Sequence, residues 1–173
     1  MSTKKDNEPL SWFAARTRHG QEISVRDKLL KAGVEHFIPT VPSIRISGGR
    51  RRKCEKPLIS NLVFIRAAKS RACELANSVI PVYYLIDRVT RTLLVVPDKQ
   101  MDDFARAVKL DSGCIDGTLP ELEKGSRVRV IGGALEGVEG QVLEISGHNY
   151  VVLSLCGLIQ AKVEIPTQYL EKL

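Results

Sequence analysis

Six cations crowd one short stretch of this chain: Arg45, Arg50, Arg51, Arg52, Lys53 and Lys56, with Gly48-Gly49 between the first and the rest. Guanidinium and ammonium groups at this density bind polyanions, because each phosphate they neutralise releases condensed counterions. Such contacts are strong and salt-dependent but read no base sequence by themselves. The Gly-Gly pair marks a turn, so the cations belong around the tip of a hairpin, an arm suited to reach phosphates. A solvated basic hairpin with no ligand is the competing reading. Arg16, Arg18 and His19 form a smaller basic group where the first expected strand ends. They are candidates for the same chemistry, against the plainer reading of surface charge at a strand end.

Other chemistries find little support. Residues 128–142 read Val-x-Val-x-x-Gly-x-x-x-Gly-x-x-Gly-x-Val, with Val128 and Val130 alternating, then Gly133, Gly137, Gly140 and Val142. The glycines superficially suggest a phosphate cradle, but no Gly-Lys-Ser/Thr follows and the flanks read strand to strand. Nucleotide binding is rejected. His19, His36 and His148 are scattered, and Cys54, Cys73, Cys114 and Cys156 stand 19, 41 and 42 residues apart, which matches neither metal-pair spacing nor a disulfide scaffold. No nucleophile with an adjacent base and no paired acids can be found. The expectation is a protein that is not an enzyme, with no cofactor and no metal.

The elements that position these groups follow from periodicity. Residues 1–10 are polar and read as a tail; residues 11–18 open with Trp12-Phe13 and read as a strand. Residues 21–32 read as a helix, with Val25, Leu29 and Ala32 on one stripe and Gly33 as its stop. Residues 58–65 read as a buried strand, 70–79 as a second helix, and 82–87 and 93–96 as strands around a turn. A third helix opens at Pro97-Asp98, where Met101, Phe104, Ala105 and Val108 share a face. This order predicts an α+β domain, an antiparallel sheet with three helices, over residues 11–110. Residues 111–124 read as a linker. Residues 125–173 are strands punctuated by glycine and Pro166, the content of a small all-β, SH3-like barrel.

The 173 residues suffice for one or two domains, and their 43% hydrophobic content is ordinary for a soluble protein. No apolar run reaches the roughly 18 residues of a membrane span, and the first residues lack a secretory signal, so a cytoplasmic protein with no membrane contact is expected. The net charge of +6 is unevenly spread. Residues 1–66 hold 14 Lys or Arg against 6 Asp or Glu, whereas residues 121–173 hold 5 against 7. The first part therefore suits a polyanion and the last part suits a different partner.

Trp12-Phe13, Ile38-Pro39-Thr40, Gly48-Gly49 with the basic run through Lys56, and the glycine-punctuated segment occur in an order that resembles the NusG family, an NGN domain followed by a KOW domain. Pro97-Asp98-Lys99-Gln100-Met101, after the aliphatic strand, resembles the UpxY-like branch of specialised antitermination factors of capsular polysaccharide operons. The resemblance implies a transcription elongation or antitermination factor that binds the clamp helices of RNA polymerase through its first domain, beside DNA or nascent RNA. It makes Phe13, Leu58, Ile59 and Leu62 candidates for an apolar polymerase-facing patch, with ordinary core packing as the competing reading. Leu58-Ile59-Ser60-Asn61-Leu62 stands where the family carries Phe-Phe-Pro-Gly-Tyr. It also implies Rho or a ribosomal protein as partner of the KOW domain, where Cys156-Gly157-Leu158 replaces the family's Phe-Gly-Arg. The alternative, a ribosome-associated RNA-binding KOW protein, conflicts with the acidic balance of residues 121–173.

Overall fold

The computed structural model describes residues 8–116 and 125–173. Backbone packing divides the chain into two units, Met1–Pro97 and Asp98–Leu173. The first runs β1 (Ser11–Arg16), α1 (Glu22–Lys31), β2 (Glu35–Phe37), β3 (Thr40–Ser47), β4 (Arg50–Pro57), β5 (Leu62–Ala67), α2 (Lys69–Ala76), β6 (Tyr83–Tyr84) and β7 (Val95–Val96). Its main sheet has the order β2-β5-β1-β6, with β7 also on β1 and all pairings antiparallel. Trp12–Ala15 and Leu62–Ile65 are buried without interruption, so the centre of the sheet is shielded on both faces, as unbroken apolar runs predict. On one face Ala15, Val63, Ile65 and Ala67 pack with Val25 and Leu29 of α1 and Leu75 of α2. Helix α1 ends where expected, with Gly33 at φ +65°, a conformation that only glycine adopts without strain.

The expected strands at 82–87 and 93–96 are more irregular than their pattern. β6 and β7 are two short segments on one edge of β1; between them Leu85 and Leu94 still bond Ala14 of β1, and residues 86–93 close as a small hairpin. Leu94 N donates to Leu85 O at 2.8 Å and Asp87 N to Thr92 O at 2.8 Å. The Asp87 carboxylate accepts the amides of Thr90 and Val89, both at 2.8 Å, which holds its pKa below the ordinary carboxylate value. Local side-chain bonding has won here over continuation of the strand.

Tyr84, at the inner end of β6, has a buried hydroxyl with no hydrogen-bond partner. Burial, and then the neighbouring Cys73, push its pKa up to about 12. An unfolded tyrosine ionises near pH 10. Above that pH the unfolded chain releases a proton that the folded chain keeps, so stability falls as pH rises from about 10 towards about 12. Urea midpoints measured across this window should decline in the wild type, and the Tyr84→Phe variant should lose that part of the decline.

The second unit runs α3 (Asp98–Leu110), β8 (Ile115–Asp116), β9 (Arg127–Val130), β10 (Glu139–Ile145), β11 (His148–Leu155), β12 (Ile159–Glu164) and β13 (Leu170–Lys172). The strands form one antiparallel six-stranded sheet in the order β13-β9-β10-β11-β12-β8, the small all-β barrel that the sequence predicts. Val128, Val130, Leu135, Val138, Val151, Leu153, Leu155 and Val163 are buried in it. The hydrophobic pattern placed α3 with the leading module, whereas packing divides the chain before α3. Lys99 donates to Gly137 O at 2.9 Å, Arg106 to Glu136 O at 2.9 Å and Ala134 O at 3.0 Å, and Gln100 Oε1 accepts from Cys156 N at 3.2 Å. The expected linker is packed over its first residues: Asp111 caps a 3-10 turn through Gly113 N, and Ile115 pairs with Ala161. Its last eight residues, 117–124, lie outside the described part. No described helix is long and apolar enough to cross a membrane.

Candidate functional site

Strands β3 and β4 form a two-stranded ribbon of their own, paired from Thr40↔Pro57 to Ser47↔Arg50. Gly48 and Gly49 both have positive φ, +57° and +73°, the backbone that a tight two-residue hairpin turn requires. All six cations of the basic run are exposed along this ribbon, so the structure brings them together as the sequence predicts. Arg45 and Arg52 are directly opposite. Like charges facing each other across strands cost stability, and a polyanion laid over them removes the repulsion.

Glu55 is the sole carboxylate of β3 and β4, and it is engaged: Arg26 of α1 donates to it at 2.5 Å. That bond, and a second to Asp27, raise the Arg26 pKa, although burial opposes them. The pair ties the base of the ribbon to α1 and leaves the outer cations without an acid of their own strand. A partly exposed ion pair of this kind contributes under about 1 kcal/mol to stability. Arg26→Ala should therefore leave the urea midpoint nearly unchanged while the backbone amides of β4 exchange faster with deuterium. Unchanged exchange would show that the pair does not orient the ribbon.

Arg16, Arg18 and His19 are exposed at the end of β1, where Arg16 sits between Leu62 and Tyr83 in the sheet register. Thr17, between them, is buried and donates to Pro81 O at 3.0 Å, which aims its neighbours outward.

The expected apolar patch is corrected as a surface. Phe13, Ile59 and Leu62 are buried, and only Leu58 keeps partial exposure. Phe13 and Leu62 belong to the central strands, and Ile59 is held inward by the loop before β5. There Asn61 has φ +60°, and its amide donates to the buried carboxylate of Glu22 at 3.0 Å. Phe13 still lines a cavity of about 300 Å³, with Leu93, Val95, Pro9, Lys69 and Glu8 among its other walls. Glu8 accepts the Ser70 amide at the start of α2 at 3.0 Å, and hydrogen bonding to the Ser70 side chain and then to this amide lowers its pKa. Apolar surface that the pattern did not disclose lies nearby in the fold: Tyr83, Ile86, Val89 and Val95 are all largely exposed. Tyr83, Ile86 and Val95 fall in the segments read as strands and Val89 in the turn between them, and no local signal shows which of these side chains face water.

The glycine-punctuated segment is architectural. Val128 and Val130 are buried, Val142 is half-buried, and Gly133 and Gly137 both have φ +84° in the turn between β9 and β10. A Cβ at Gly140 would lie 2.5 Å from Val152 O, so the strands pass too close for any side chain. Among the described residues no group of three or more His, Cys, Asp or Glu could hold a metal ion. His148 instead pairs with Glu164, and His36 contacts Val34 O at 2.8 Å.

Two family models match in succession along the chain. The family model described as "Transcription termination factor nusG" matches residues 10–105, and the KOW motif model matches residues 124–154. No curated protein matches the chain. Among solved structures, one described as "Domain interaction in Thermotoga maritima NusG" is 20% identical, covers 95% of this chain and 98% of its own, and superposes with a TM-score of 0.50. A chain of the MjSpt4:Spt5 complex is 17% identical over 94% of this chain and 96% of its own, with a TM-score of 0.28.

Proposed function

The chain belongs to the NusG family of transcription factors, and from that premise we propose that it is an elongation factor that binds RNA polymerase through residues 11–110 and suppresses pausing or termination. The observation that carries this reading is the β3–β4 ribbon, six exposed cations whose one local carboxylate is already taken by Arg26. Such an arm reaches nucleic acid while the apolar surface around Leu58 and the Phe13 cavity meets polymerase. Suppression of pausing then follows if the factor binds the closed, elongating enzyme more tightly than the open, paused one, since only differential affinity shifts such an equilibrium.

Residues 125–173, carrying more acids than bases in the last third of the chain, suit a protein partner such as Rho or a ribosomal protein. The segment Pro97-Asp98-Lys99-Gln100-Met101 supports a specialised, UpxY-like role in an operon such as a capsular polysaccharide locus, in the cytoplasm. Residues 111–124 connect the two domains in this reading.

Co-purification with RNA polymerase tests the docking surface. Wild-type chain should retain polymerase at moderate salt, and the double variant Leu58→Asp, Val95→Asp should lose it while keeping its urea midpoint. Retention by the folded double variant would move the docking surface elsewhere.

A further inference from the structure

The register of the ribbon assigns every side chain to a face, and the two faces differ. Side chains alternate along a strand, and directly paired residues share a face. One face carries Arg45, Arg50, Arg52 and Lys56; the other carries Ile44 and Ile46 with Lys53 and Arg51 directly across from them. Ile44 and Ile46 are 63% and 68% exposed. Binding phosphate needs no aliphatic group, and two neighbouring isoleucines left in water forgo about 25 cal/mol for each Å² that a partner could cover. The aliphatic face is therefore a contact surface in its own right.

We propose that the ribbon enters the major groove of duplex DNA with the Ile44 and Ile46 face towards the base edges, which gives the protein a base preference; this rests on the nucleic-acid reading above. A two-stranded ribbon fits the major groove, which is about 12 Å wide. The groove floor offers thymine methyl groups to the isoleucines and paired guanine acceptors to Arg51. Phosphates line both walls of the groove, where the long arginine and lysine side chains of either face can bend over the ribbon's edges to reach them. A protein partner matches less well. Each isoleucine has a cation at about 4.5–5.5 Å between Cβ atoms, so an apolar protein surface would bury Arg51 and Lys53 unpaired. Glu55, the one acid on that face, lies at the base of the ribbon and is held by Arg26.

Fluorescence anisotropy with the full chain tests this, using a short thymine-rich duplex, the same duplex with uracil for thymine, and the single strand. Ile44→Ser with Ile46→Ser should weaken binding to the thymine duplex by about tenfold to a hundredfold, the scale of losing two aliphatic contacts, and leave the salt slope unchanged. Uracil substitution alone should weaken the wild type and add nothing to the double variant. Because that comparison needs no mutation, it holds even if a variant misfolds. Equal binding of wild type and double variant to both duplexes, with the variant in which Arg45, Arg50, Arg52 and Lys56 are all glutamine (the arginine-face variant) still impaired, would overturn the groove proposal and assign the isoleucines to a protein partner. Tighter binding of the single strand than of the duplex would overturn it as well. If the arginine-face variant also binds like wild type, the nucleic-acid reading itself fails.

Discussion

Replacing Arg45, Arg50, Arg52 and Lys56 together by glutamine should lower affinity for nucleic acid on the order of a thousandfold at about 0.15 M salt. Each phosphate contact changes the slope of log affinity against log salt by about 0.9, and is worth roughly a factor of five between 0.15 M and 1 M salt. Four contacts then multiply to that figure. The four residues share one exposed face, and their loss removes no buried group. It also relieves the direct Arg45 and Arg52 opposition, so stability should stay level or rise slightly. A salt titration of binding reads the effect, because the variant's slope should be shallower by about 3.6. An unchanged slope would mean that this face never meets phosphate.

Gly140→Ala should be far more damaging than alanine at either turn glycine of the same segment, Gly133 or Gly137. Gly140 pairs with Val128 on one side, and an added Cβ would meet Val152 O at 2.5 Å and Val151 Cγ1 at 2.7 Å. Val152 is itself in the β11 ladder, paired with Gln141 and Lys162, so its carbonyl cannot retreat without breaking two pairings. Overpacking against a backbone this constrained costs about 3 kcal/mol, the upper end for inserted groups. Gly133→Ala and Gly137→Ala meet open space and suffer only the left-handed backbone penalty, about 1–2 kcal/mol each. Urea unfolding followed by far-UV circular dichroism should rank the three, with Gly140→Ala lowest. Equal midpoints for all three would show that close approach at Gly140 is not limiting.

The readable and unreadable parts of this chain divide along physical lines. Strands with strict patterns were legible: the unbroken apolar run of β5, the alternation of Val128 and Val130, and the Gly48-Gly49 turn that gathers the cations. Helix α3 was legible as an amphipathic helix, although it buries Ala107 more fully than the expected Ala105, and its stripe of Met101, Phe104 and Val108 says only that it needs an apolar surface, not which one. Exposure within the apolar segments was the least legible feature. Phe13, Ile59 and Leu62 are buried, while Tyr83 and Ile86, of similar composition and context, are exposed. Ile86 lies in the small hairpin whose turn the Asp87 carboxylate caps, Tyr83 pairs with exposed Arg16 at the end of β1, and the Glu22 bond turns the loop at Asn61; none of these has a periodic signature. The faces of the ribbon depend on register, which pairing across a two-residue turn determines once the turn is known.

Transcription in vitro through a strong pause and a terminator, with and without the full chain at matched salt, bears most directly on the proposed role. The account predicts shorter pause lifetimes and more read-through with the wild type, and neither effect with the arginine-face or Leu58→Asp, Val95→Asp variants. Identical pausing and termination with and without wild-type protein, under conditions where it co-purifies with polymerase, would contradict it.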